Sequence, residues 1–301
     1  MEKIKNIATV AEYNNYLGIE TLHPLVSVID FSKARPLHHA RMTFGFYAVF
    51  LKECENCELL YGRKRYDYQK GTVVCMAPNQ VTGVEDNGEV FQPKGWALLF
   101  DPELIRGTSL GRNMREYTYF SYEVNEALHL SEQERELFRN CLSKIREELN
   151  HSIDRLSKRL ITNNIELLLN YCLRFYERQF ITRQNANQSS IARFDTLLDN
   201  YFKSGEATKK GLPSVKYCAG ELCLSPNYFG DLVKKETGKT AQEYIQLAVV
   251  GMAKERILSP GTTISQIAYE LGFQYPQHFT RMFKKVTGKT PNEYRSGSQT
   301  A

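Results

Sequence analysis

Apolar residues recur along this chain at two different periods, and the change from one to the other divides it. Between about 20 and 120, the runs 26–31, 45–52, 58–61, 72–77 and 95–100 are rich in Val, Phe, Tyr and Leu and are separated by Gly, Pro and Asn. Such runs read as strands, and many short ones at this spacing predict a small barrel or jelly roll. From Ser131 the period lengthens. Ser131 followed three residues later by Glu134 is the start signature of a helix, and Leu137, Cys141, Ile145 and Leu149 then repeat every fourth residue. A second helix over 154–181 carries Leu156, Leu160, Leu167, Leu168, Tyr171 and Phe175. The polar stretch TRQNANQSS breaks the periodicity and predicts a linker at 183–190, after which Phe194, Leu197, Leu198, Tyr201 and Phe202 open a further helical region.

The densest pattern lies at 263–295, TISQIAYELGFQYPQHFTRMFKKVTGKTPNEYR. Ile264, Ile267, Ala268 and Leu271 form the buried stripe of a short helix, which Gly272 ends. A second helix begins near Pro276, tolerated in a first turn because its missing N–H would have had no partner there. Packing Phe279, Met282, Phe283 and Val286 inward leaves Gln277, His278, Thr280, Arg281 and Lys284 outside. An amide and a guanidinium can each make two hydrogen bonds to a base edge in the major groove, and lysine suits phosphate. Two short helices joined at a glycine, the second polar and basic outside, make a helix-turn-helix.

The pattern occurs twice. Residues 214–244 read SVKYCAGELCLSPNYFGDLVKKETGKTAQEY, and eight of the eleven positions in KKETGKTAQEY are identical to KKVTGKTPNEY at 284–294. Ala219 and Leu222 match Ala268 and Leu271 at an offset of 49, and Phe229 matches Phe279 at 50, so the slip falls in the turn, where insertions are tolerated. Between the copies, 240–258 is largely apolar with no proline. As one helix it spans roughly 28 Å, close to the roughly 34 Å between successive major-groove faces on one side of a duplex.

This pair with its linking helix resembles the DNA-binding domain of the AraC/XylS family of bacterial transcription regulators. The second copy carries the resemblance through Ile267-Ala268, Leu271-Gly272-Phe273, Phe279, Phe283-Lys284-Lys285, Thr287-Gly288, Thr290-Pro291 and Tyr294; the first through Ala219, Leu222, Ser225, Phe229, Lys234-Lys235 and Thr237-Gly238. Three positions, in two places, depart from it. Ala248 stands where the family usually has arginine, and Gly230 and Asp231 stand where larger or basic residues are common. The segment YDYQKGTVVCMAPNQVTGVE resembles the cupin-type sensing domain that precedes the DNA-binding half in many members.

The resemblance implies an α+β multidomain protein. Residues 1–182 would be a cupin-like β-barrel (about 20–120) with a helical hairpin (about 131–182), and 191–301 an all-α domain with two helix-turn-helix modules. It implies sequence-specific binding of double-stranded DNA to control transcription, with Gln277, His278, Thr280 and Arg281 on bases and Lys284 on phosphate. In the first module the candidates are Asn227, Asp231 and Lys234. RNA polymerase is the implied partner, and a small-molecule effector the implied signal. The hairpin either dimerises the protein, as in the family, or packs only on its own barrel.

Composition adds limits. The chain has 301 residues with 42% hydrophobic content and a net charge of +5, enough for two ordinary cores. From Ile191 onward Lys plus Arg number 15 against 10 Asp plus Glu, so the whole excess lies on the segment with the repeat, as a phosphate-binding module needs. No apolar run is long enough to span a membrane, and the start lacks a secretory core, so a cytoplasmic protein is expected. The seven cysteines are then expected reduced. Cys54 and Cys57 form a C-x-x-C without the second ligand pair of a structural zinc site. His23, His38 and His39 have no carboxylate at ligand spacing, and neighbours on a strand face opposite ways. A non-catalytic pocket is therefore expected, without metal or cofactor. Tyr47, Trp96 and Phe100 are candidates for its lining, although plain core is the commoner role of strand aromatics. Two other readings remain: a DNA alkylation-repair methyl acceptor using the C-x-x-C, and an architectural protein that binds DNA without sequence preference.

Overall fold

The computed structural model describes residues 4–53, 57–61, 64–68, 71–83, 88–122, 126–152, 154–182, 184–259 and 261–298. The chain divides into two compact units, Met1–Thr182 and Arg183–Ala301. No helix among the described residues is long and apolar enough to cross a membrane.

The first unit opens with β1 (Lys5–Ile7) and helix α1 (Val10–Leu17), then alternates strands. Its main sheet is built from β2 (Val26–Asp30), β5 (Tyr47–Lys52), β8 (Thr72–Met76), β11 (Gly95–Phe100) and β12 (Leu128–His129), in the antiparallel order β12-β8-β5-β11-β2. The expected strands stand within two residues of where the sequence puts them. Side chains alternate across this sheet. Ile29, Ala48, Val74, Met76, Ala97 and Leu99 share one core with Tyr13 and Leu17 of α1 and with Phe44 and Phe46. The opposite face carries Val49, Leu51, Leu98 and Phe100, all fully buried.

Smaller sheets accompany it. β1, β4 (Met42–Phe44) and β9 (Val81–Thr82) form one, β3 (Leu37–His38) pairs with β10 (Val90–Phe91), and β6 (Cys57–Tyr61) pairs with β7 (Lys64–Tyr68). No sheet among the described residues closes into a barrel. Closure needs an unbroken ring of paired strands, whereas the main sheet ends at β2 and β12.

Helix α1 was not expected from the periodicity. Its capping box, Thr9 with Glu12, and the left-handed Gly18 at its end (φ 71°) are nonetheless standard boundary signals. Two short helices, α2 (Pro102–Ile105) and α3 (Ser109–Asn113), follow β11.

Then come the hairpin helices α4 (Glu132–Asn150) and α5 (Ser157–Thr182). The Ser131–Glu134 capping box is present. Glu134 also takes a two-pronged bond from Arg178 on α5, at 2.9 and 2.8 Å. The buried stripe differs from the expected one: Phe138, Cys141, Leu142 and Ile145 face inward, while Leu137 is exposed. On α5 the inward set is Ile161, Ile165, Leu168, Leu169, Cys172 and Phe175, Leu160 and Leu167 are exposed, and Leu156 is exposed in the turn just before the helix. A strict four-residue repeat drifts around a helix with 3.6 residues per turn, so leucines spaced that way leave the core.

The second unit is all helix: α6 (Gln184–Lys203), α7 (Glu206–Lys210), α8 (Val215–Glu221), α9 (Pro226–Thr237), α10 (Ala241–Leu258), α11 (Ile264–Glu270), α12 (Pro276–Thr287) and α13 (Pro291–Ser298). Residues 184–190, expected as part of a linker, belong to α6. The stretch holds no Gly or Pro, so the missing apolar stripe means it has nothing to bury, not that it cannot be helical.

Candidate nucleic-acid interface

Each copy of the repeat is a three-helix module. Helix α6 packs on α8 and α9, and α10 packs on α11 and α12. In the first, Phe194 from α6 sets its ring edge-on to Phe229, with centroids 4.9 Å apart, and stacks on Tyr244 at 5.3 Å. In the second, Phe279 and Phe283 are fully buried, with Phe273 and Tyr294 against them. The inward stripes Tyr228, Phe229, Leu232, Val233 and Phe279, Phe283 fix which face of α9 and α12 remains outside.

The turns match in conformation. Gly272 has φ +88° and Cys223, the corresponding residue, has φ +60°. The left-handed region that a helix-turn-helix turn demands is thus filled once by glycine, at no steric cost, and once by a residue with a Cβ. Both second helices begin with proline and end at a left-handed glycine, Gly238 and Gly288. Thr237 and Thr287 repeat one local bond set, each hydroxyl donating to the carbonyl four residues back, Val233 at 2.7 Å and Phe283 at 2.8 Å.

The outward faces differ. On α12, Gln277, His278, Arg281, Lys284 and Lys285 are exposed, and Thr280 is half-buried. The Thr280 hydroxyl donates to the Pro276 carbonyl at 3.1 Å, so toward a ligand it offers acceptor capacity only. Arg281, Lys284 and Lys285 have no carboxylate within ion-pair distance among the described residues, which leaves a cationic strip. On α9, Asn227, Lys234 and Lys235 are exposed, whereas Gly230 and Asp231 are half-buried. The first face therefore carries an acid at its middle where the second carries Arg281.

Helix α10 joins the modules. Thr240 and Glu243 form its capping box, and hydrogen bonds from Thr240 hold the Glu243 carboxyl below the usual carboxylate range. Its 18 residues extend about 27 Å, and Ile245, Val249, Val250, Ala253 and Ile257 are buried along it. At its far end Arg295 of α13 donates to the carbonyls of Ile257 at 2.8 Å and Thr262 at 2.7 Å, which pins the last helix to the connector. Ala248 is half-buried on this helix.

Residues 218–297 match the family described as a helix-turn-helix domain. The C-terminal unit carries an AraC-type helix-turn-helix domain. Among curated proteins, the chain is 36% identical over 85 residues to the transcriptional regulatory protein YesN of Bacillus subtilis, covering 27% of this chain and 23% of that one. It is 28% identical over 81 residues to the arabinose operon regulatory protein of Escherichia coli, covering 27% and 28%. A third relative, the bifunctional transcriptional activator/DNA repair enzyme AdaA of Bacillus subtilis, is 36% identical over 104 residues, covering 34% and 47%. The chain thus spans less than half of each of these relatives. The matched residues take in most of the first copy of the repeat and all of the second.

The candidates outside this domain fare differently. Cys54 lies outside the described residues, and so does the side chain of Cys57, so the C-x-x-C reading falls outside them too. Among the described residues no three His, Cys, Asp or Glu side chains gather as metal ligands. His38 is exposed on β3, His39 stacks on Phe91 with centroids 4.3 Å apart, and His23 Nδ1 accepts from the Leu25 amide at 3.1 Å. Phe100 is fully buried in plain core, and Tyr47 borders a cavity of about 340 Å³ beside Ile105, Arg106, Arg112 and Met114. Tyr47 stacks on Phe100 at 5.0 Å, and Trp96 lies under the Arg146 guanidinium at 5.0 Å, all on the face of the main sheet opposite the α1 core. Tyr275, which the sequence reading passed over, sits exposed at the start of α12.

Proposed function

We propose that the protein is a sequence-specific DNA-binding transcription regulator whose helices α9 and α12 enter successive turns of the major groove on one side of a duplex. The observation that carries this reading is the outward face of α12, where Gln277, His278 and Arg281 stand beside Lys284 with no ion pair to a carboxylate among the described residues, Glu293 being close enough to Lys284 only for a longer-range attraction. The length of α10 supports it, since a rod of about 27 Å suits two helices reading half-sites roughly 34 Å apart once their own offsets are added. Gln277, His278, Thr280 and Arg281 contact bases, Thr280 as an acceptor, and Lys284 contacts phosphate. Asn227, Asp231 and Lys234 serve the first module. Asp231 accepts from a cytosine amino group but repels phosphate, so the first module contributes less affinity.

The first unit is, in this proposal, a cupin-like sensing domain that answers a small effector, supported by a cavity of about 340 Å³ beside Tyr47, Ile105, Arg106, Arg112 and Met114. The exposed Leu137, Leu156, Leu160 and Leu167 of the hairpin favour a homodimer through 131–182, and sedimentation of the L156E/L160E variant as a monomer is the expected check. RNA polymerase is the partner that a cytoplasmic regulator of this kind acts on.

The deciding experiment is selection of bound sites from random duplex DNA by the full chain, followed by footprinting. Two protected patches one helical turn apart are expected. A single short patch contradicts the two-helix geometry, and equal affinity for random and selected duplexes means an architectural protein. The match to AdaA keeps one further reading in view, and stoichiometric zinc in the purified protein would favour that methyl-acceptor chemistry.

A further inference from the structure

The internal repeat serves as its own control, because it shows what each position does when it is purely structural. At the entry to α9 the chain reads Ser225-Pro226, and the Ser225 hydroxyl accepts from the Tyr228 amide at 3.2 Å. At the entry to α12 it reads Tyr275-Pro276, and no side chain caps the helix. Losing a serine cap destabilises a helix, so the second module has given up stability here. Packing does not repay it. Tyr275 is 50% exposed, its hydroxyl has no hydrogen-bond partner among the described residues, and its ring meets His278 edge-on with centroids 5.5 Å apart.

We propose that Tyr275 is a specificity-determining residue of the second module, its ring reading the 5-methyl group of a thymine. This rests on the regulator reading above. The N-terminal residues of a recognition helix are the ones that reach base edges, and Tyr275 stands two positions before Gln277. Gln277 and Arg281 supply paired hydrogen bonds, while Tyr275 supplies the exposed apolar surface at the same end. In the major groove the thymine methyl is the one apolar feature that separates a base pair from the others. The edge contact with His278 holds the ring beside the polar readers.

The test uses the full chain and its selected duplex, with each thymine replaced singly by deoxyuridine, which removes only the methyl. For the wild type, one replacement within the site of α12 should weaken binding about threefold to fivefold, the value of one buried methyl. Tyr275→Phe should keep that penalty. Tyr275→Ser, which installs the cap of the first module, should bind the thymine and deoxyuridine duplexes equally while its melting temperature is unchanged or higher. A Tyr275→Ser protein that retains the deoxyuridine penalty overturns the proposal, as does a wild type insensitive at every thymine. A uniform loss in Tyr275→Phe on all sequences would instead assign the hydroxyl to phosphate and overturn it as well. A chain with no preferred duplex at all fails one step earlier, at the regulator reading.

Discussion

The Tyr244 hydroxyl donates to Asp195 Oδ1 at 2.8 Å while its ring stacks on Phe194, so one side chain ties the first turn of α10 to the middle of α6. Burial, and then Asp195, push this phenol up to about 12. Raised above its unfolded value near 10, the group contributes stability that is fully present below about pH 10 and is lost as pH rises toward about 12. The urea midpoint of the second unit should fall across that window more steeply in the wild type than in Tyr244→Phe. Near neutral pH, Tyr244→Phe should cost about 1 kcal/mol for the lost bond. Parallel pH profiles for the two proteins would refute this assignment.

The paired turns predict opposite responses. A Cβ at Gly272 would lie 2.8 Å from the Ala207 carbonyl oxygen and from the Gly211 carbonyl carbon, at a φ that alanine disfavours. Gly272→Ala should therefore lose about 2 to 3 kcal/mol in thermal or urea unfolding. Cys223→Gly relieves a left-handed residue that has a Cβ and should gain about 1 kcal/mol.

On DNA, Arg281→Ala should cost about 1 to 3 kcal/mol and relax preference at one position, and Lys284→Ala should weaken all sequences alike and lower the salt slope by about 1. Asp231→Ala should cost little, or bind tighter. Anisotropy titrations at two salt concentrations measure all three. Equal losses in Arg281→Ala and Asp231→Ala would defeat the ranking of the modules.

In the first unit, Glu134 both closes the α4 capping box and takes the two bonds from Arg178, which also donates to the His129 carbonyl at 2.7 Å. Glu134→Gln keeps the box and weakens the charged pairing, at about 1 kcal/mol. Glu134→Ala removes both, at about 2 kcal/mol. Urea melts that show no difference between the two variants would mean that the box contributes nothing.

The second unit was legible in the sequence because its information is local: stripes three and four apart, a glycine at the turn, prolines in first turns, and a second copy to check against. Five strands were legible from short apolar runs between turn residues, β11 at 95–100 among them, whereas the two- and three-residue strands β1, β3, β4, β9, β10 and β12 were too short to leave such a run. What connects the strands was not legible. Whether β2 and β12 meet depends on partners far away in the chain, and no periodicity records it. The hairpin stripe was misread through Leu137, Leu156 and Leu160, because leucine marks an apolar position without saying whether it faces the core. Tyr275 was missed for a related reason, since a tyrosine before a helix resembles packing until its exposure is known.

Helix α10 is the third wall of the second module and also packs on α9 of the first. A fragment that ended within it would strip one module of its scaffold, and a fragment that began after it would strip the other. The two readers therefore cannot be shuffled as separate cassettes. In the proposed complex, lengthening the rod by three or four residues would swing the distal helix around the duplex, so the length of α10 would set the half-site spacing the protein accepts.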